Sequence, residues 1–229
     1  MDEQRPQCED RTMIRKFREP VSGLTHLAAG ILAAAGLVIL VAMALSSGSV
    51  DRIVAVGIYG CSLVALYAAS ALYHLLPVSE SAIARLRRLD HTMIFVLIAG
   101  TYTPVCLLAL SGGWRWGLLG TVWALALCGV LLKLLRMDYH RWVSVALYLG
   151  LGWMALIAAP AILRALPVGG VAWIAAGGLV YSAGAIVYAV KRPDPIPGAF
   201  GFHELWHLFV IAGSACHFWA VAYYVAPLA

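Results

Sequence analysis

Apolar residues fall along this chain in long blocks, each about 20 residues, the length that crosses the hydrocarbon core of a bilayer. Short polar or turn-forming stretches separate them. The blocks run from about Leu24 to Leu45, Ile53 to Leu76, Asp90 to Leu110, Trp116 to Leu135, Trp142 to Leu163, Val168 to Val190 and His203 to Val225. Ser46-Ser47-Gly48-Ser49 and Ser111-Gly112-Gly113 read as tight turns. Pro77 ends the second block, because proline cannot continue the helical hydrogen-bond ladder. Pro104 is expected to kink the third. The stretch Lys191-Arg192-Pro193-Asp194-Pro195-Ile196-Pro197-Gly198 is too rich in proline for a helix and reads as a stiff loop, a candidate lid.

The pattern predicts an all-α integral membrane protein, a seven-transmembrane helix bundle. Residues 1–20 form a basic tail and residues 21–229 a single domain, with no room for a second. The polar N-terminal residues and the length of the first block argue against a cleaved signal peptide, so the first span is expected to stay.

Composition agrees. The chain is 62% hydrophobic and only 12% charged, where soluble domains carry roughly 25% charged residues. Its net charge of +5 does not suggest nucleic-acid binding, because the basic residues sit in short loops between spans. The five cysteines (Cys8, Cys61, Cys106, Cys128, Cys216) form no CxxC pair and read as small buried hydrophobes.

Charge placement orients the bundle. With the N-terminus in the cytoplasm, that side collects Arg5, Arg11, Arg15, Lys16, Arg18, Arg85, Arg87, Arg88, Lys133, Arg136, Arg141, Lys191 and Arg192. The other side keeps Arg52, Arg115 and Arg164, a bias of thirteen to three.

This topology brings polar residues of separate spans to one depth. His74 ends the second span, Asp90 opens the third, and His203 and His207 open the seventh. Histidines four apart share a helix face. Three neutral imidazoles with one open position suit a catalytic zinc, which lowers the pKa of a bound water to about 7. Asp90 is placed to hold that water or take its proton. Ser70, one turn from His74, could orient the water or donate to a developing oxyanion. His26, His91 and His140 fall at the same end and read as packed polar residues. His217 lies roughly 15 Å along the helix from His207, too far to share the ion, and reads as a buried, hydrogen-bonded histidine.

His203-Glu204-Leu205-Trp206-His207 also matches H-E-x-x-H, the zinc-protease pattern with Glu204 as general base. No acidic residue follows it, and the remaining third ligand is His74.

The chain resembles the progestin and adipoQ receptor (PAQR) family, in its haemolysin III branch. The resemblance rests on Glu19-x6-His26, Ser70-x3-His74, Asp90, Gly100-Thr101-Tyr102-Thr103-Pro104, and Phe200-Gly201-Phe202-His203-x3-His207, in that order. It implies a seven-helix bundle with zinc on His74, His203 and His207 and a water near Asp90. It also implies a relation to lipid amide hydrolases of the ceramidase kind and to membrane lipid or fluidity homeostasis. The partner expected on this reading is a membrane lipid entering from the cytoplasmic leaflet, and the short tail and minimal loops suit a multi-pass member of the family in the inner membrane of a bacterial cell. Alternatives are a non-enzymatic membrane sensor with structural zinc, a pore-forming haemolysin, and a membrane metalloprotease.

Overall fold

The computed structural model describes residues 17–136 and 140–228. Most of the basic tail, including Cys8, falls outside them, as does Ala229. The described residues are almost wholly helical. The helices are α1 (Pro20–Ser47), α2 (Val50–Leu75), α3 (Glu80–Pro104), α4 (Gly112–Leu135), α5 (Arg141–Gly152), α6 (Ala159–Ala165), α7 (Val168–Val190) and α8 (Phe202–Ala220).

Six helices are long and apolar enough to cross a membrane, and α5 with α6, angled at 55°, makes a seventh if the bent pair is one span. The exposed surface supports this reading. Leu32 is 72% exposed and Leu135 81% exposed, where a water-soluble bundle would place charge. Cys61 and Cys128 share this outer surface, so they are not the buried hydrophobes expected from sequence.

Helix ends follow local chemistry. Ser49 caps α2, its Oγ accepting from the Arg52 N–H at 3.3 Å. Gly48 ends α1 at φ 69°, a left-handed conformation that glycine adopts without steric cost. Pro104 is followed by a wide turn over Val105–Ala109, because its ring displaces the regular ladder.

The bend of the α5–α6 span has a similar cause. Pro160 lacks an N–H and cannot sit inside an unbroken helix. Tyr102 of α3 fills the gap. Its hydroxyl donates to the Gly152 carbonyl and accepts from the Ala155 N–H at 2.8 Å. The break therefore leaves those backbone groups satisfied inside an apolar bundle, as the membrane interior requires.

The third span differs from its expected limits. Residues 80–89, read from sequence as a polar loop, are helical and extend α3 by almost three turns. Asp90 is therefore in the third turn of its helix rather than the first.

The start of α1, the end of α2 and the start of α8 meet. The Glu19 N–H donates to the His74 carbonyl at 2.9 Å, tying the start of α1 to the end of α2. Gly23 allows this approach: a Cβ there would lie 2.4 Å from the Leu75 side chain.

Candidate metal centre

His74 is in the last turn of α2, and His203 and His207 are in the first two turns of α8. One nitrogen from each ring lies within 4.8 Å of those of the other two. His74 and His207 are buried, at 0% and 2% exposure. The ring centroids of His74 lie 5.1 Å from His203 and 4.8 Å from His207.

Two of the three rings are held from behind. The Glu19 carboxylate accepts a hydrogen bond from His74 Nδ1. His207 Nδ1 donates to the Ser22 carbonyl at 3.2 Å. An acceptor on Nδ1 fixes the proton there and leaves Nε2 as the lone-pair donor. The Nε2 atoms of His74 and His203 are 3.5 Å apart. Tetrahedral zinc with Zn–N bonds of about 2.0–2.1 Å needs nitrogens roughly 3.4 Å apart. The donor set thus fits a zinc ion by its chemistry, by the tautomer of His74 and His207, and by the spacing of His74 and His203.

Glu19 lies outside the spans, and the hydrogen bond from His74 holds its carboxyl below the usual carboxylate range, against the opposing effect of burial. Arg18 adds to this environment with its guanidinium 3.5 Å from Glu19 and 4.3 Å over the Tyr73 ring. Glu19 is read from the sequence only as part of the Glu19-x6-His26 resemblance, with no role at the site, and Ser22 is not singled out. The available signal was a carboxylate directly before Pro20, where a span begins, following Arg15, Lys16 and Arg18.

His26 belongs to the site without belonging to the ligand group. Its ring stacks on His207, with centroids 3.7 Å apart and planes at 17°. Its edge-to-face neighbour is Tyr67 at 5.1 Å. Both His26 nitrogens are buried without a hydrogen-bond partner among the described residues.

The two residues expected to act on a water are placed differently. Ser70 is 1% exposed, and its Oγ has no partner among the described residues. Asp90 is half-buried, with Oδ2 3.5 Å from His91 Nδ1, and it does not belong to the three-histidine group. His91 is turned away, its Nδ1 donating to the Arg87 carbonyl at 2.8 Å.

Glu204, the general base of the protease pattern, is already engaged. Its Oε2 accepts from the Gly201 N–H at 2.8 Å, and its Oε1 accepts from Ser22 Oγ at 2.8 Å. The first bond is the reach-back half of a capping box, which satisfies a free donor at the start of α8. The proline-rich loop does reach the site. A cavity of about 220 Å³ lies between Asp194, residues 198–202, His203 and Glu204.

The family described as haemolysin-III related matches residues 14–218. The chain is 35% identical over 224 residues to "Hemolysin-3" of Bacillus cereus, covering 96% of this chain and 99% of that protein. It is 36% identical over 206 residues to "Hemolysin-3 homolog" of Bacillus subtilis (strain 168), covering 90% and 93%. A more distant likeness is to the human "Monocyte to macrophage differentiation factor", 27% identical over 176 residues, covering 73% and 69%. With its multi-pass helical bundle and a match spanning most of its length, the chain belongs to the haemolysin-III related family.

Proposed function

We propose that the protein is a membrane-embedded zinc hydrolase that cleaves an amide or ester bond of a membrane lipid and so adjusts bilayer composition. The observation that carries this reading is the group of converging donors: three histidines and no fourth ligand among the described residues. Structural zinc sites are closed by four protein ligands, whereas catalytic ones keep a position open.

His74, His203 and His207 would hold the ion. Zinc bound there would polarise the scissile carbonyl and make water a nucleophile near neutral pH. The chain's own residues do the rest. Glu19 and the Ser22 carbonyl keep two imidazoles in the binding tautomer. Asp90 takes the proton of the attacking water and returns it to the departing amine or alcohol. The new C–O bond forms first, and the C–N or C–O bond of the substrate then breaks as the carbonyl re-forms and the amine or alcohol leaves with the proton. Ser70, whose hydroxyl has no protein partner, donates to the oxyanion that develops on the carbonyl.

The lipid enters from the leaflet on the histidine side. The charge bias makes that the cytoplasmic leaflet, with the N-terminus inside. Glu204 favours no protease reading, since both of its oxygens serve the start of α8 and the α1 contact. The names of the Bacillus relatives refer to lysis of cells. Hydrolysis of membrane lipid provides a route to such a phenotype without a polar pore through the bundle.

The test is release of fatty acid by the purified zinc-loaded protein in nanodiscs containing either an N-acyl sphingoid lipid or a glycerophospholipid. Release that a chelator abolishes is the expected result. A fully zinc-loaded protein that releases no fatty acid from either class would rule out the hydrolase reading.

A further inference from the structure

Deeper in the bundle is a second cavity, of about 370 Å³, bounded by α2, α3, the bent span, α7 and α8. Its size falls within the roughly 300–1,000 Å³ of ligand sites. An apolar cavity of about 150 Å³ already takes benzene. Leu156 and Leu163 line it, yet both are 62% exposed on the outer surface of the bundle. The rim of the cavity is therefore continuous with the lipid-facing side.

The walls are apolar apart from a few side chains, and their hydroxyls are already satisfied. Thr101 donates to the Leu97 carbonyl at 2.8 Å. Tyr102 serves the break in the bent span. Tyr148 donates to the His91 carbonyl at 3.2 Å, and Tyr181 pairs with Ser214 at 2.8 Å. Ser182 donates to the Gly178 carbonyl at 2.7 Å and accepts from Trp153 Nε1 at 2.9 Å.

His217 is different. It lines the same cavity, and its Nδ1 is buried with no partner among the described residues. The sequence led to the expectation of a hydrogen-bonded histidine, and Nδ1 finds no such partner among the described residues. Space has been kept for the ring: a Cβ on Gly177 would lie 2.1 Å from Nδ1. Tyr181 packs edge-on against it at 5.4 Å. A polar ring without a partner in an apolar interior is costly, and in a membrane span such a residue marks a site.

We infer that this cavity binds a long-chain lipid alcohol, with the chain in the apolar space and its hydroxyl on the His217 imidazole. A hydroxyl fits whichever tautomer the ring adopts, because it can both donate and accept. It also brings no charge into the bilayer interior, where a carboxylate would lose its hydration. The alcohol enters laterally past Leu156 and Leu163. His217 is ten residues beyond His207, roughly 15 Å along α8, so this site is separate from the three-histidine centre and does not depend on its metal.

The probe is 1-hexadecanol, with hexadecane and palmitate as comparisons, offered to the full-length protein in detergent and followed by native mass spectrometry. The expected result is one retained hexadecanol per chain, held about tenfold more tightly than hexadecane, as one buried hydrogen bond implies. His217→Leu should remove that preference. His203→Ala should leave it unchanged, whatever becomes of zinc. If His217→Leu does not fold, the wild-type preference for alcohol over alkane still decides the matter. Equal retention of hexadecane and hexadecanol, stronger retention of palmitate, or an unchanged preference in a folded His217→Leu would each overturn the proposal.

Discussion

Glu19 grips His74 by side chain and backbone at once: its carboxylate accepts from Nδ1 and its N–H donates to the His74 carbonyl at 2.9 Å. A residue just ahead of the first span thereby sets the ring orientation at the end of the second. Carboxylate partners of this kind raise ligand basicity, and their loss typically weakens metal binding by about 10- to 100-fold. Glu19→Gln is expected to weaken zinc binding within that range. Glu19→Asp should recover part of the loss. Chelator-competition titration of the purified variants measures both, and wild-type affinity in Glu19→Gln would refute the orienting role.

The three-histidine centre predicts one zinc per chain. His203→Ala and His207→Ala should each lose most of the metal, because two imidazoles cannot hold zinc as three do. Elemental analysis after purification without chelators reads this directly. Well under one equivalent in the wild type would contradict it.

The two carboxylates near the centre should separate in function. Asp90→Asn is expected to keep zinc and to lose lipid hydrolysis by on the order of 100-fold, the scale of a lost general base. Glu204→Gln keeps an acceptor for the Gly201 N–H, so its effect on hydrolysis should be mild. Ser70→Ala should fall between them, as the loss of one oxyanion donor would. Paired assays of zinc content and fatty-acid release distinguish these outcomes. Loss of zinc in Asp90→Asn would instead make Asp90 a fourth ligand and the site structural.

Orientation has its own test. Apart from Arg52, Arg115 and Arg164, the basic residues lie at the histidine end of the bundle or in the tail before it. The positive-inside rule then puts that end in the cytoplasm and the C-terminus outside. A reporter that is active only in the periplasm should be active when fused after Ala229. Activity of a cytoplasmic reporter at that position would reverse the leaflet from which lipid enters.

The spans and the histidine centre were legible in the sequence for the same reason. Blocks of apolar residues fix which helix ends share a side, and His74, His203 and His207 then fall at one depth. The start of α3 was not legible. Residues 80–89 carry Arg85, Arg87 and Arg88 on a helix that continues past the apolar stretch, and hydropathy marks only the part that is apolar. This also moved Asp90 two turns inward from its expected place. Glu19 was hidden for a different reason. Its role comes from a tertiary contact spanning 55 positions, and nothing local to a charged tail announces such a contact. His217 had the opposite problem: its burial was foreseen, but an absent partner can be seen only once its surroundings are built.

His74 and His203 are 129 positions apart in the chain. Ribosomes add roughly 5–20 residues per second, so His74 emerges on the order of ten seconds before the rings it must meet. Through that interval its partner within reach is Glu19, synthesised just ahead of it. Any ion shared by the three rings can be captured only after the last helix has been inserted, which makes metal loading a late event in biogenesis and a mark of a fully assembled bundle.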